Sequence, residues 1–185
     1  MGKLLILDKD GTLVRPKSGG AFVQHPEDQE LLPGVAEAIA RYHVDGWRMA
    51  IASNQGGVAA GHKSLQDAIA EMAYCLILLP EFVRTAVFCP DDGMSIEFVR
   101  KFDGVAKYRG YLRHKYMNYA RSWRTFRKPD PGMIHAVIDF CTNDGSGDSV
   151  EILFVGDRPE DQQAAANAGV DFVWAHEWVN HIPKC

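Results

Sequence analysis

Two short apolar runs, Lys3–Leu7 (KLLIL) and Ile152–Val155 (ILFV), constrain this chain more than any other feature. Each is continuous rather than alternating. That is the pattern of a strand covered on both faces, as in a parallel sheet. Around them, apolar runs alternate with helix-period segments. Val35, Ala38, Ile39 and Tyr42 predict a helix over Gly34–Val44, and Gly46 breaks the chain before a second strand, Arg48–Ala52. Leu65, Ala68, Ile69, Met72, Ala73 and Leu76 form another helical stripe, with Ser64 as its expected N-cap. Thr85–Phe88 reads as a third strand. Ile134, Val137, Ile138 and Cys141 mark a helix opened by Pro131. ILFV is the fourth strand, Pro159–Ala168 a helix and Phe172–Trp174 the fifth strand.

This alternation implies an α/β fold with a doubly wound (Rossmann-like) parallel sheet in three α/β/α layers. A length of 185 residues predicts one domain spanning 1–185. The segment from about Asp91 to Arg127 breaks the alternation. There Tyr108, Tyr111, Leu112, Tyr116, Tyr119 and Trp123 lie close to one helical stripe, although Gly110 weakens it. The expectation is a small basic helical insertion after the third strand, cap-like, over 91–126. The loop Arg15–Pro33 is a smaller excursion after the first strand.

No apolar run reaches membrane-spanning length. Acids at Asp8 and Asp10 arrive too early for a signal peptide. Four cysteines without a Cys-x-x-Cys do not make a disulfide framework, so a reducing, cytoplasmic setting is expected. The net charge of −4 is unevenly spread. Residues 100–128 hold ten of the 20 Lys and Arg against one acid, Asp103. That local +9 leaves −13 elsewhere and suggests an anionic partner for the basic part.

Polar residues cluster just after the expected strand ends, where open parallel sheets bind ligands. In LILDKDGTLV, Asp8 and Asp10 stand at i and i+2 beyond a buried strand. Extended chain points them the same way, and two adjacent acids call for a cation or a shared proton. Gly11 allows a sharp turn, and Thr12 can hydrogen-bond a neighbouring carboxylate. IASNQGG places Ser53 and Asn54 where a hydroxyl, and an amide or backbone N–H, can meet phosphoryl oxygens. Arg127 and Lys128 put two cations just before a helix start, and Lys is a compact charge suited to phosphate. VGDRPED supplies Asp157 and, four residues on, Asp161. Each motif also has a plain reading as a turn, an exposed basic loop or an acidic first helical turn.

In this order along the chain, LDKDGT, SNQGGVAAG, RKPDPGM and VGDRPEDQQAAANAG resemble the four motifs of haloacid dehalogenase superfamily phosphatases. The finer likeness is to the histidinol-phosphate and heptose-bisphosphate phosphatase branch. The phosphatase domain of polynucleotide kinase/3′-phosphatase lies in the same neighbourhood. The resemblance covers nearly all of the chain except residues 91–126. It implies that Asp8 is a nucleophile forming an aspartyl-phosphate, and that Asp10 is the general acid and then the base. It implies Mg²⁺ on the carboxylates of Asp8 and Asp157 and the backbone carbonyl of Asp10. Asp161 would support that site or reach it through water. Ser53, Asn54 and Lys128 would hold the transferring phosphoryl group, with Arg127 and Thr12 beside them.

The branch often carries a zinc loop after the third strand. Here only Cys89 of its ligand pattern remains, with His114 as the nearest imidazole, so structural zinc is not expected. The expectation is a Mg²⁺-dependent phosphomonoesterase acting on a small phosphorylated metabolite, a sugar phosphate or bisphosphate. The alternative is a nucleic-acid 3′-phosphatase, for which the +9 segment would supply the contacts.

Overall fold

The computed structural model describes residues 2–102, 105–111, 126–142 and 149–180, with the backbone alone for 105–111. The first strand, β1 (Gly2–Leu7), is followed by a small antiparallel pair, β2 (Val14–Arg15) and β3 (Glu30–Leu31). Then come α1 (Val35–Val44), β4 (Arg48–Asn54), α2 (Leu65–Leu78) and β5 (Thr85–Cys89). Two further strands follow, β6 (Glu97–Phe102) and β7 (Val105–Tyr111). The chain continues with α3 (Gly132–Thr142), β8 (Val150–Gly156), α4 (Pro159–Ala168), β9 (Asp171–Trp174) and α5 (Ala175–Trp178).

Seven of these strands form one sheet in the order β7-β6-β5-β4-β1-β8-β9. From β5 to β9 all pairings are parallel. The continuous apolar runs explain this directly. Along β1, Leu5 and Leu7 join a core layer with α1 and α2, while Leu4 and Ile6 join a second layer with α3 and α4. All four are fully buried, so neither face of β1 is wet. Ser64 caps α2 with a reciprocal bond to Asp67, as the sequence suggested. The expected doubly wound α/β/α sandwich is therefore the observed fold. Chain connections leave β1 first toward β4 and later return to β8, which puts the switch point at the end of β1.

The insertion differs from its expected form. Residues 97–102 and 105–111 are not helical; they add two antiparallel strands to the β5 edge. Gly110 marks the reason. Phe98 pairs with Gly110 but Val99 with Tyr108, so β7 carries one extra residue, a bulge that interrupts the two-residue period. With alternation broken, Tyr108 and Tyr111 imitate helical spacing. The rest of the expected stripe, Leu112, Tyr116, Tyr119 and Trp123, lies outside the described residues, as does His114.

Two basic residues of the segment serve packing. Lys101 is buried, and its Nζ donates to the carbonyls of Leu76 (2.9 Å) and Leu79 (2.8 Å). It thereby satisfies carbonyls at the C-terminal end of α2, where a cation is favoured. The Arg100 guanidinium lies over the rings of Phe102 and Phe140. Among the described residues, no helix is long and apolar enough to cross a membrane.

Candidate active site

Three loops at the carboxyl edge of the sheet meet beyond β1. Asp8 follows β1 directly, and its N–H donates to the Val155 carbonyl at 2.9 Å, which ties it to the neighbouring strand β8. Asp157 follows β8, and Asp161 stands in the first turn of α4. One carboxylate oxygen from each of Asp8, Asp157 and Asp161 lies within 4.8 Å of the others. Asp8 and Asp161 are buried, whereas Asp157 is exposed. Asp161 is fixed by accepting a bond from the Arg158 N–H at 3.1 Å. Its side chain also occupies the space that a Cβ on Gly156 would need.

Lys128 enters the same cluster from the opposite side. Its Nζ is 2.5 Å from Asp8 Oδ1 and 2.7 Å from Asp161 Oδ1, and donates to the Ala52 carbonyl at 3.0 Å. It is 4% exposed. Asn54 holds it there: the amide Nδ2 donates to the Lys128 carbonyl at 2.9 Å, and the Lys128 N–H donates to Asn54 Oδ1 at 3.0 Å. Of the two Asn54 donors expected to meet a phosphoryl oxygen, the side-chain amide is engaged with the lysine backbone. Ser53 is buried, and its Oγ accepts from Gln55 Nε2 at 3.0 Å.

One buried cation thus faces two buried carboxylates, with a third acid alongside. Burial pushes the Asp8 carboxyl up to about 7, and Asp161 and Asp10 add to the push against Lys128. Asp157 is also raised, by desolvation and then by Asp161. Lys128 is itself held charged, because its two carboxylate partners outweigh its desolvation. Excess negative charge on three converging oxygen ligands, open to solvent at Asp157, fits a hard divalent cation. Gly11 completes the fit. Its φ of +85° is left-handed, and a Cβ there would collide with the Asp157 carboxylate.

The Asp10 side chain points elsewhere. Its Oδ1 accepts from Lys9 Nζ at 2.7 Å and its Oδ2 from Gln55 Nε2 at 3.0 Å. Burial raises its pKa, but Lys9 and Gln55 outweigh that and hold the carboxyl below its usual range. Thr12 is 1% exposed, and its Oγ1 has no hydrogen-bond partner among the described residues. The expected bond from Thr12 to a neighbouring carboxylate is not formed. Arg127 lies against Gly56, where a Cβ would fall 2.6 Å from its Nη2, and Nη1 donates to the Asp91 carbonyl at 3.3 Å. Cys89 is buried, its Sγ donates to that same carbonyl at 3.3 Å, and burial pushes its thiol up to about 12.

Sequence reading singled out Asp8, Asp10, Asp157, Asp161 and Lys128, and the fold brings them to one edge. It passed over Lys9, Gln55, Lys63 and Glu71. A signal was present for Glu71, an acid set within the apolar stripe of α2.

Comparison with known proteins agrees with this geometry. The sequence profile of the polynucleotide kinase 3 phosphatase family matches residues 3–178. The chain belongs to that family. A D-glycero-D-manno-heptose-1,7-bisphosphate 7-phosphatase of Thermosynechococcus vestitus is 32% identical over 176 residues, covering 89% of this chain and 74% of the relative. A D-glycero-beta-D-manno-heptose-1,7-bisphosphate 7-phosphatase of Pseudomonas putida is 30% identical, covering 90% and 78%. Among solved structures, the D,D-heptose 1,7-bisphosphate phosphatase of B. bronchiseptica superposes with a TM-score of 0.59 at 29% identity. That match covers 92% of this chain and 78% of the other, and the B. bronchiseptica enzyme was crystallised with magnesium and phosphate. A HAD-like phosphatase from Mesorhizobium loti, at 24% identity and a TM-score of 0.59, shares the fold. The reading of a haloacid dehalogenase-type phosphatase is borne out at the level of the family.

Proposed function

We propose that the protein is a Mg²⁺-dependent phosphomonoester hydrolase acting on a small sugar phosphate or bisphosphate through an aspartyl-phosphate on Asp8. The observation that carries this reading is the convergence of Asp8, Asp157 and Asp161 with Lys128 at the switch point of the sheet. The curated relatives, named as heptose-bisphosphate phosphatases, support the sugar bisphosphate class.

Asp8, Asp157 and the Asp10 carbonyl would hold Mg²⁺, with Asp161 supporting them from its helix turn. Bound there, the ion neutralises charge on the phosphoryl oxygens. Asp8 attacks phosphorus as the ester P–O bond breaks, and that electron pair leaves on the substrate oxygen. Asp10 gives this oxygen its proton. An approaching phosphate dianion favours a protonated Asp10, because like charge raises a carboxyl pKa. Water then attacks phosphorus, Asp10 takes its proton, and the bond to Asp8 breaks to release phosphate. Lys128, the Ser53 hydroxyl and the unpartnered Thr12 hydroxyl bind the phosphoryl oxygens. Asn54 contributes by fixing the Lys128 backbone, and Arg127 binds the rest of the substrate. The whole chain, 1–185, acts as one phosphatase domain with 91–126 as its insertion, in a reducing, cytoplasmic setting.

A second reading, a 3′-phosphatase on nucleic-acid ends, is favoured by the +9 over residues 100–128. Against it, Arg100 and Lys101 are engaged in packing. The test is turnover with Mg²⁺ on p-nitrophenyl phosphate, a sugar phosphate panel that includes heptose 1,7-bisphosphate, and a 3′-phosphorylated oligonucleotide. Asp8→Asn should abolish turnover on all of them. Background rates from wild type on the whole panel would sink the phosphatase reading. Preference for the oligonucleotide, lost steeply with salt, would establish the second reading instead.

A further inference from the structure

We propose that Lys9 is a positioning residue, clamping the Asp10 carboxylate together with Gln55 in the orientation that serves the leaving group. The proposal rests on Asp10 acting as the acid and base described above.

Lys9 lies between the two motif acids and is 0% exposed. Its Nζ holds Asp10 Oδ1 at 2.7 Å, while Gln55 Nε2 holds Oδ2 at 3.0 Å. Two donors on two oxygens stop the carboxylate from rotating about its Cβ–Cγ bond. The Asp10 side chain nonetheless stays 41% exposed, so it retains an open side for substrate.

The clamp is braced from behind. Lys9 Nζ is 3.8 Å from Glu71 Oε2. Glu71, whose side chain is 4% exposed, accepts from Lys63 Nζ at 2.6 and 2.7 Å. The Glu71 carbonyl accepts from Gln29 Nε2 at 3.0 Å, so the loop before β3 also grips this turn of α2. Two cations and two carboxylates balance within this chain. Gln55 also donates to Ser53 Oγ at 3.0 Å, linking Asp10 to the phosphate-binding turn.

A purely structural account fits poorly. An ammonium with no exposed surface is costly, and packed apolar residues commonly replace buried ion pairs at no loss of stability. Such departures from core chemistry are expected where a site needs them. The shortest contact of this lysine is to the one carboxylate placed to move a proton.

Leaving-group dependence separates positioning from structural support. p-Nitrophenoxide leaves without a proton, whereas a sugar alkoxide needs one. Lys9→Met should lower the single-turnover rate of the first step, release of the alcohol, by ~100-fold or more on a sugar phosphate, the scale of general acid–base catalysis. The same first-step rate on p-nitrophenyl phosphate, read as p-nitrophenol release, should fall less than ~5-fold; kcat on both substrates also includes the Asp10-assisted attack of water, so the first step is the rate compared. Lys9→Arg should regain the sugar phosphate rate to within ~10-fold of wild type, because the donor returns.

Equal losses on both substrates, or no loss on either, would overturn the clamp while leaving the phosphatase reading intact. Absence of turnover by wild type on either substrate would overturn both. If Lys9→Met does not fold, Gln55→Met tests the other oxygen with the same two substrates and the same expected split.

Discussion

Replacing Asp8 by Asn removes the proposed nucleophile and should at the same time make the metal-free protein more stable. Burial lifts the Asp8 carboxyl from 3.8 to about 7, and Lys128 cannot cancel this because Asp161 shares it. The folded protein therefore binds the proton more tightly than the unfolded chain does. Stability from this group is fully present below 3.8, is lost as pH rises, and is gone above about 7. The gap of about 3 between the two values corresponds to on the order of 4 kcal/mol. Asn mimics the protonated carboxyl, and its Oδ1 can still accept from Lys128. In EDTA, Asp8→Asn should exceed wild type by on the order of 4 kcal/mol at about pH 8, by roughly half that near pH 5.5, and by nothing below about pH 3. Urea denaturation across that range reads the difference. Mg²⁺ should then stabilise wild type more than the variant, since it binds a ligand that the variant lacks. An Asp8→Asn protein equal to or weaker than wild type at pH 8, or a difference flat with pH, would refute the charge accounting.

Other substitutions probe the neighbouring parts. Gly11→Ala must adopt a left-handed φ of +85° and push Asp157 aside, costing about 1–2 kcal/mol in backbone strain alone. Its Mg²⁺ affinity by calorimetry should fall ~10-fold or more, in line with displaced metal partners, and an unchanged affinity would count against Asp157 as a ligand. Lys128→Met strands two buried carboxylates and should destabilise by about 3–5 kcal/mol at neutral pH in urea melts, with turnover lost. Gly56→Val should displace Arg127, whose Nη2 would meet the new Cβ at 2.6 Å. That variant should raise KM for a sugar bisphosphate ~10-fold while sparing p-nitrophenyl phosphate, the pattern of lost remote binding.

The layers were legible because β1, β4 and β8 carry apolar residues on both faces, leaving no other sheet type that could bury them. Asp8, Asp157 and Lys128 were legible because motif acids and bases sit just past strand ends or before a helix. The β6–β7 pair was not, because a bulge at Gly110 disrupts the alternation on which strand reading depends. The role of the Asn54 side chain was hidden for a different reason. An amide beside a phosphate motif can face substrate or hold backbone, and only the fold shows it gripping Lys128 from 74 residues away. Gln55 escaped because no spacing rule links a glutamine to an acid 45 residues earlier.

The same distinction decides what the basic residues mean. Counted along the chain, the cations of residues 100–128 read as one surface for an anionic partner. In the fold, three buried lysines have three separate tasks. Lys101 closes the end of α2, Lys128 bridges Asp8 and Asp161, and Lys9, outside the segment, grips Asp10. Each is 4% exposed or less, so none adds to a field that a distant anion would feel. Among the described residues of the segment, the cations at the site are Lys128 at the phosphoryl group and Arg127 one residue before it. These two adjacent cations and the small open acid cluster support the proposed phosphorylated metabolite as substrate. A nucleic-acid backbone would instead need several exposed cations in register along a groove. Salt therefore separates the two readings at the bench. Turnover of a sugar phosphate should change little between about 50 and 200 mM salt, whereas a site neutralising six or more phosphates loses on the order of 10³-fold in affinity. A loss of that size on this enzyme's preferred substrate would overturn the metabolite assignment.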